Sequence, residues 1–514
     1  MNTYKIITNH IWLLSISCLA FLFSCNDLLE IDPMDRMTQA DIQKMVLKDP
    51  NSVLEPMVTA LTSQIHDYGT GSVNDRNLAV LHIRLNFIGN DVVKVKSGWL
   101  DDDYRLRDWQ TQISPLPVCF WRNFYKYIFY ANQIIAAVPE SLNLSDLSDE
   151  NKAVMTFKAS ALTIRAFSYT YLMWLFQDDY LHGGKDKAGV PLYTTTTNVA
   201  QPRAASAEVW KQIIDDATEA VQLFKVSGNY MTDKRDDIDG SFASVVLARA
   251  ALTMGEWQTA ISAASDVINA YPELFNEEDY TTKGFTVMEK EVIFGHFYSS
   301  NSNKAQSSFD AWMNIYGEGG YGGSQQTSWL AIDQRLYDQI PETDYRKKNF
   351  TSEPFEYTYP VSDATVLVEK YFQLKWATST LRDNTAYNQD EIYIRASEMY
   401  LAKAEAEQRS GNDAAAQNTL YSLVSQRDPG YVKSSATGDA LFKEIQLHRR
   451  IELWGEAGHE FYDNKRWNIG IDRASSANHL EKLSHPAGHF TFQIPLETEL
   501  NYNQNITPAD QNPL

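Results

Sequence analysis

The chain has 514 residues and a formal net charge of −21, with aromatics at 12% and only three cysteines. Such acidity repels nucleic acid and anionic membranes, and it disfavours polyanionic ligands unless a local basic patch exists. The length is ample for a large core, and three cysteines cannot make a disulfide framework.

Lys5 and His10 lie in a short polar start, and Ile11 to Phe23 then run without a charge. That run suits a signal-peptide core and falls short of the roughly 20 residues a spanning helix needs. It ends at Leu22-Phe23-Ser24-Cys25, which resembles the lipobox of bacterial lipoproteins. Residues 1–24 are therefore expected to be removed and Cys25 to be lipidated. With Cys18 in the leader, Cys119 alone is left in the mature chain, within Val118-Cys119-Phe120-Trp121, an apolar setting that predicts a buried thiol.

Apolar spacing predicts long amphipathic helices over Phe120 to Val138, Asn151 to Phe176 and Ser206 to Phe224, the last opening on a cap at Ser206. Two later segments are related. Setting Gly255 against Gly411 also aligns Ala248 with Ala404, Ala250 with Ala406 and Ala260 with Ala416. Each reads as helix, Gly-containing turn, helix, with small residues where the helices cross; this is the tetratricopeptide pattern. The expected fold is mainly α, a tetratricopeptide-like scaffold over about 117–271 and 390–467. Irregular regions lie at about 69–112 and 275–384, with strand-like pieces at Glu291 to Phe294 and Val366 to Val368. Loops this long are where a ligand would bind.

Six segments in chain order then resemble the SusD/RagB family of outer-membrane nutrient-binding lipoproteins. They are the start Asn26-Asp27-Leu28-Leu29-Glu30-Ile31-Asp32-Pro33, the helix Ala159 to Phe176 with Gly189-Val190-Pro191-Leu192, Arg203-Ala204-Ala205-Ser206, Ile394 to Leu401 with Ala404-Glu405-Ala406, Arg449 to Leu453 with Gly458 to Trp467, and Gln493-Ile494-Pro495 with the tail to Pro513. The resemblance implies one SusD-like domain over 25–514 that cuts nothing itself. It would sit, lipid-anchored and facing the cell exterior, over a SusC-like TonB-dependent barrel.

Motifs that suggest enzymes are incomplete. His459-Glu460-Phe461-Tyr462-Asp463 has Asp where a zinc protease helix needs its second His. The expectation there is a family helix in which Arg450, Glu452 and Glu456 satisfy one another. Gly317-Glu318-Gly319-Gly320-Tyr321-Gly322 has the letters of a dinucleotide loop without the strand and helix that give them meaning. Asp101-Asp102-Asp103 reads as a solvated face or a loop-end calcium site, and no other cofactor is expected.

Sugar recognition favours aromatic faces beside amides and carboxylates. Two clusters qualify: Asn74, Trp99, Asp101, Asp102, Tyr104 and Trp109, and then Trp312, Tyr316, Tyr321 and Trp329. The expected ligand is a glycan; a peptide, or a scaffold without a small ligand, are the other readings. Each aromatic could equally be packing, because large aromatics are commonly buried.

Overall fold

The computed structural model describes residues 37–66, 78–139, 142–197, 199–283, 285–297, 309–317, 320–326, 329–360, 362–377 and 389–514. The leader, Cys25 and Asn74 lie outside these residues. Helices come first: α1 (Gln39–Lys48), α2 (Pro50–His66) and α3 (Leu78–Asn86) lead to strand β1 (Val92–Lys94) and the single turn α4 (Asp101–Tyr104). The long helices follow as α5 (Pro115–Ala137) and α6 (Asp149–Phe176), then the pair β2 (Ala188–Pro191) and β3 (Arg203–Ala205), then α7 (Ser206–Ser227). The expected cap at Ser206 is corrected: the capping position is Ala205, which makes no side-chain bond, and Ser206 is the first helical residue and fully buried.

The aligned segments fold alike. Helices α8 (Gly240–Met254) and α9 (Trp257–Ala270) turn at Gly255 with φ +76°. Beyond strand β8 (Glu391–Arg395), helices α12 (Ala396–Arg409) and α13 (Asp413–Arg427) turn at Gly411 with φ +84°. Both turns need the left-handed backbone that glycine takes without a Cβ clash. Ala248, Ala250, Ala260, Ala404, Ala406 and Ala416 are all fully buried, which lets the helix axes approach closely. Neighbours stack in sequence, α5 on α6, α6 on α7, α7 on α8, α8 on α9, and α9 then packs on α12. Helix α14 (Gly438–Glu452) closes the second stack against α12 and α13, and α15 (His459–Arg466) follows. One apolar core runs from Val46 through the first stack and one face of α12 to Ile506, and a separate cluster fills the space between α12, α13 and α14.

Between the two stacks the chain is short elements and loops: β4 (Val292–His296), α10 (Phe309–Met313), β5 (Leu330–Ile332), α11 (Gln334–Tyr337), β6 (Phe355–Thr358) and β7 (Thr365–Val368). Every sheet among the described residues is an antiparallel pair: β1 with β5, β2 with β3, β4 with β8, β6 with β7, and β9 (Ile471–Asp472) with β10 (Ser484–His485). The first irregular region is more ordered than its composition suggests, because α3 is buried at every residue and so carries no amphipathic period to read.

A buried ion cluster joins the two kinds of structure. Arg427, at the end of α13, donates to Glu291 (2.9 Å), to Glu452 (3.0 Å) and to the Phe275 carbonyl. Arg395 reaches Glu291, Glu452 (3.2 Å) and Glu456 (2.7 Å). Arg346 grips Asp344 (2.6 Å) and Glu452 (3.1 Å), and Lys375 grips Glu456 (2.5 Å). Four cations thus meet four carboxylates, all but Glu456 almost wholly out of water. The expectation that Arg450, Glu452 and Glu456 satisfy one another is corrected. Arg450 pairs with Asp91, while Glu452 and Glu456 belong to this cluster.

A second ladder binds α8, α12, α14 and α15. Arg249 meets Glu398 (2.6 Å), Arg449 meets Asp463 (2.6 Å), and Arg466 meets Asp463 (2.9 Å) and Glu405. The C-terminal tail is stitched back across the first stack. Asn512 donates to the carbonyls of Phe176 (2.7 Å) and Phe492 (2.8 Å), and Arg203 donates to the Asp510 carbonyl (2.6 Å).

Breaking one partner of a buried ion pair strands the other, at roughly 3–5 kcal/mol. Arg427→Met is expected to lower unfolding free energy by about that much, measured by urea denaturation. Burial would raise Glu398 and Glu405, but Arg249 and Arg466 outweigh it and hold both below the ordinary carboxyl value of 4.5. Their stabilisation is therefore complete above pH 4.5 and lost as pH falls through the depressed folded values. Stability measured down that range is expected to decline less steeply in Glu405→Gln than in the native chain.

Candidate functional site

The site is built on the turn between β1 and α5. Strand β1 pairs with β5 at Val92 with Ile332 and Lys94 with Leu330, so residues 95–114 leave a firm base. Lys94 is fully buried, and its ammonium donates to the Trp99 carbonyl (2.5 Å) and the Asp101 carboxylate (2.5 Å). Asp101 also accepts from the Gly98 N–H (3.0 Å) and the Ser97 hydroxyl. Burial would raise the Asp101 carboxyl, but Lys94, Ser97 and Gly98 hold it below its usual value. Asp103 is held by the buried Arg84 through two bonds, of 2.7 and 3.2 Å.

Under the turn, Tyr104 bonds His479 (2.7 Å), and Arg473 lies 4.4 Å above its ring while donating to the Phe87 carbonyl (2.7 Å) and the Gly89 carbonyl (2.8 Å). These anchors hold an unfavourable backbone. Leu100, Leu106 and Asp108 all take positive φ, at 61°, 53° and 49°. Left-handed geometry costs an L-residue roughly 1–2 kcal/mol, so three within nine residues need the surrounding bonds to persist.

What the turn presents is a cleft of about 930 Å³, lined by Trp99, Asp102, Arg107, Asp108, Thr111 and Ile113 among others. Trp99 is 45% exposed. Its edge meets Tyr321 at 6.0 Å between ring centres, and Tyr321 stacks on Trp312 at 4.6 Å. The two sequence clusters therefore meet, in the order exposed Trp99, half-buried Tyr321, buried Trp312. The glycine loop makes this possible. A Cβ on Gly322 would lie 2.2 Å from the Trp312 carbonyl, and one on Gly323 would lie 1.8 Å from that of Gly317. Those glycines serve close backbone packing, and no strand–loop–helix unit surrounds them among the described residues.

Five predicted contact residues are corrected to packing roles. Tyr104, Trp109, Trp312, Tyr316 and Trp329 are each 5% exposed or less. Trp109 is enclosed by Phe461, Phe490, Phe492 and His485. Trp329 donates to the Gly323 carbonyl (3.1 Å) and meets Phe372 edge-on, and Tyr316 packs on Tyr357. These rings are the apolar filling of loops too irregular for helical packing. Trp99, Asp101 and Asp102 do line the cleft, Asp101 with its carboxylate already engaged. Arg107, Asp108, Thr111 and Ile113 were not singled out from the sequence. The one signal there was Ile113, an apolar residue just before a proline-opened helix, which is 69% exposed.

Asp101, Asp102 and Asp103 do not converge on a point, since Lys94 and Arg84 draw two of them apart. Among the described residues no group of three His, Cys, Asp or Glu side chains could hold a metal ion. His459 is buried against Glu398 on α15, with its imidazole held well below its ordinary value by burial and by Arg449. No described helix is long and apolar enough to cross a membrane.

The model of the SusD family matches residues 356–513, and a related one, described as starch-binding associating with outer membrane, matches residues 39–234. The chain belongs to the SusD/RagB family. None of the curated proteins matches it. Among solved structures, a SusD-like carbohydrate-binding protein from Bacteroides vulgatus has a TM-score of 0.72 at 21% identity, covering 90% of this chain and 98% of its own. A SusD superfamily protein from Bacteroides thetaiotaomicron has a TM-score of 0.71 at 23% identity, over 93% and 100%. A laminarin-binding SusD-like protein has a TM-score of 0.62 at 20% identity, over 90% and 98%. These likenesses establish the SusD-like fold, mainly helical with a few short strands.

Lys94→Met removes the anchor of residues 97–101 while keeping its apolar stem. It is expected to lower stability by roughly 1–3 kcal/mol and to open this turn first to limited proteolysis, read by mass spectrometry of the fragments.

Proposed function

We propose that the protein captures a glycan in the Trp99 cleft at the outer surface of the cell and passes it to a SusC-like TonB-dependent barrel. The observation that carries this reading is Trp99 itself, an exposed indole on a cleft wall, with its backbone carbonyl bonded by Lys94 and its ring backed by two further rings. An indole face suits the C–H face of a pyranose, and Asp102, Arg107, Asp108 and Thr111 line the same cleft with groups that can bond hydroxyls. Supporting it, a family model matched by residues 39–234 is described as starch-binding, and a protein of the same fold binds laminarin.

Attachment to the outer membrane would run through lipid on Cys25, as the leader's resemblance to a lipobox implies, and the family description supports outer-membrane association. The protein is read as one domain from Cys25 onward that binds without cutting. Glycoside cleavage needs two carboxyl groups flanking the bond with their proton affinities split. Of the four acids that line this cleft, Asp101 and Asp103 are tied to cations, and Asp102 and Asp108 are the two read as hydroxyl partners. A peptide would favour an exposed strand edge, whereas this cleft is walled by side chains of turns and a helix start.

Calorimetry against soluble α- and β-glucans, laminarin among them, tests the reading. Trp99→Ala is expected to weaken binding by about 30-fold or more, the loss of an aromatic anchor worth at least ~2 kcal/mol, with the melting temperature unchanged and the glycan recovered uncut. Binding of peptides alone would overturn the ligand class.

A further inference from the structure

A second pocket lies along the outer face of α14, sharing no lining residue with the Trp99 cleft. It measures about 260 Å³ and is lined by Asn90, Gln339, Lys443, Gln446, Leu447, Arg450, Asn464 and Ile469. Its floor is one face of α14, since Lys443, Gln446, Leu447 and Arg450 fall at i, i+3, i+4 and i+7. The opposite face, through Leu441, Ile445, His448 and Arg449, is buried in the fold. The turn after α3, the end of α11 and the α15 segment supply the walls.

The chemistry of this lining is unusual for so acidic a chain. Six of its eight side chains are amides or cations, and none is a carboxylate. The carboxylates nearest in the network are engaged elsewhere. Asp91 accepts from Arg450 through Nε (2.8 Å) and Nη2, and Glu460 accepts from the backbone N–H groups of Asn90 and Asp91 and from Asn464 (3.2 Å). Burial first, and the neighbouring Asp91 charge second, push the Glu460 carboxyl upward, which favours its uncharged form. Arg450 and Asp91 cancel, and Lys443 remains as a surplus positive charge. Lys443 and Gln446 make no hydrogen bond or ion pair with another described residue, so both are available to a ligand. Leu447 and the half-exposed Ile469 add an apolar edge beside these donors.

We infer that this pocket is a second carbohydrate subsite, selective for a single anionic sugar unit such as a uronate. The Gln446 amide and the Gln339 amide oxygen, whose N–H partner donates to the Arg335 carbonyl (2.8 Å), suit ring hydroxyls, the Leu447–Ile469 edge suits the ring's C–H face, and Lys443 suits the carboxylate. The volume admits one sugar ring and no chain. The acidity of the whole protein, which repels polyanions at long range, does not oppose one shielded carboxylate beside a surplus ammonium.

The test titrates the full mature chain with methyl glucuronate, methyl glucoside and sodium sulfate at constant ionic strength, by calorimetry and thermal shift. Saturable glucuronate binding in the millimolar range is expected, as small ligands of limited contact give. The glucoside and sulfate are each expected to bind about 10-fold more weakly, the worth of a charge-assisted bond or of the ring contacts. The double variant Lys443→Ala, Gln446→Ala changes the outer side of α14 and is expected to weaken glucuronate about 10-fold with the melting temperature unchanged. Trp99→Ala is expected to leave this binding intact, which separates its fate from that of the Trp99 cleft. Absence of saturation, equal binding of the glucoside, or an unaltered affinity in the double variant would sink the inference. Sulfate binding as tightly as glucuronate would overturn its sugar part.

Discussion

The four-by-four ion cluster around Arg395, Arg427 and Glu452 is the constraint on which the remainder of the molecule depends. Desolvating eight charges is unfavourable unless each is met by an opposite charge and its remaining lone pairs are bonded. The cluster meets that condition by drawing members from the residue before β4, from β8, α13, α14 and the turn after it, and from residues 344–346 and 375. A helical stack alone would leave the irregular region free to settle anywhere on it. Charges that tolerate few geometries fix one position, and the β1 turn is in turn fixed to that region through β5. An ordered cleft built largely on turns follows from this.

Much of the helical part was legible because its rules are local. Gly255 and Gly411 are read as matched turns from the alanines around them, and the structure gives both a left-handed backbone. The sequence segments that resemble the SusD/RagB family have a physical meaning that spacing did not disclose. Arg395, Glu398, Glu405, Arg449, Glu452, Asp463 and Arg466, all within those segments, belong to the two buried charge networks. Pairing over separations such as 149 residues, as between Arg249 and Glu398, leaves no periodic trace. The fold was recognisable through these residues before their reason was.

The site was legible only in outline. Both regions were located, and they do meet through Trp99, Tyr321 and Trp312. Which aromatic faces solvent was not legible, because Trp312 and Trp99 both lie among polar residues and glycines along the chain. Exposure there is decided by tertiary placement. Lys94 illustrates the same point: a lysine in a short apolar strand reads as an outward residue, yet its ammonium turns inward to hold the Trp99 carbonyl.

The C-terminal stitch bears on the order in which the molecule can be assembled. Residues 503–512 close onto 176 and 200–203 through Asn503, Asn505, Asp510 and Asn512. The first helical stack therefore lacks part of its hydrogen-bonded cover until segment 503–512 is in place. The contacts that supply it join residues about 300 apart in the chain, so this seam cannot form locally and must wait for the helices between to be stacked.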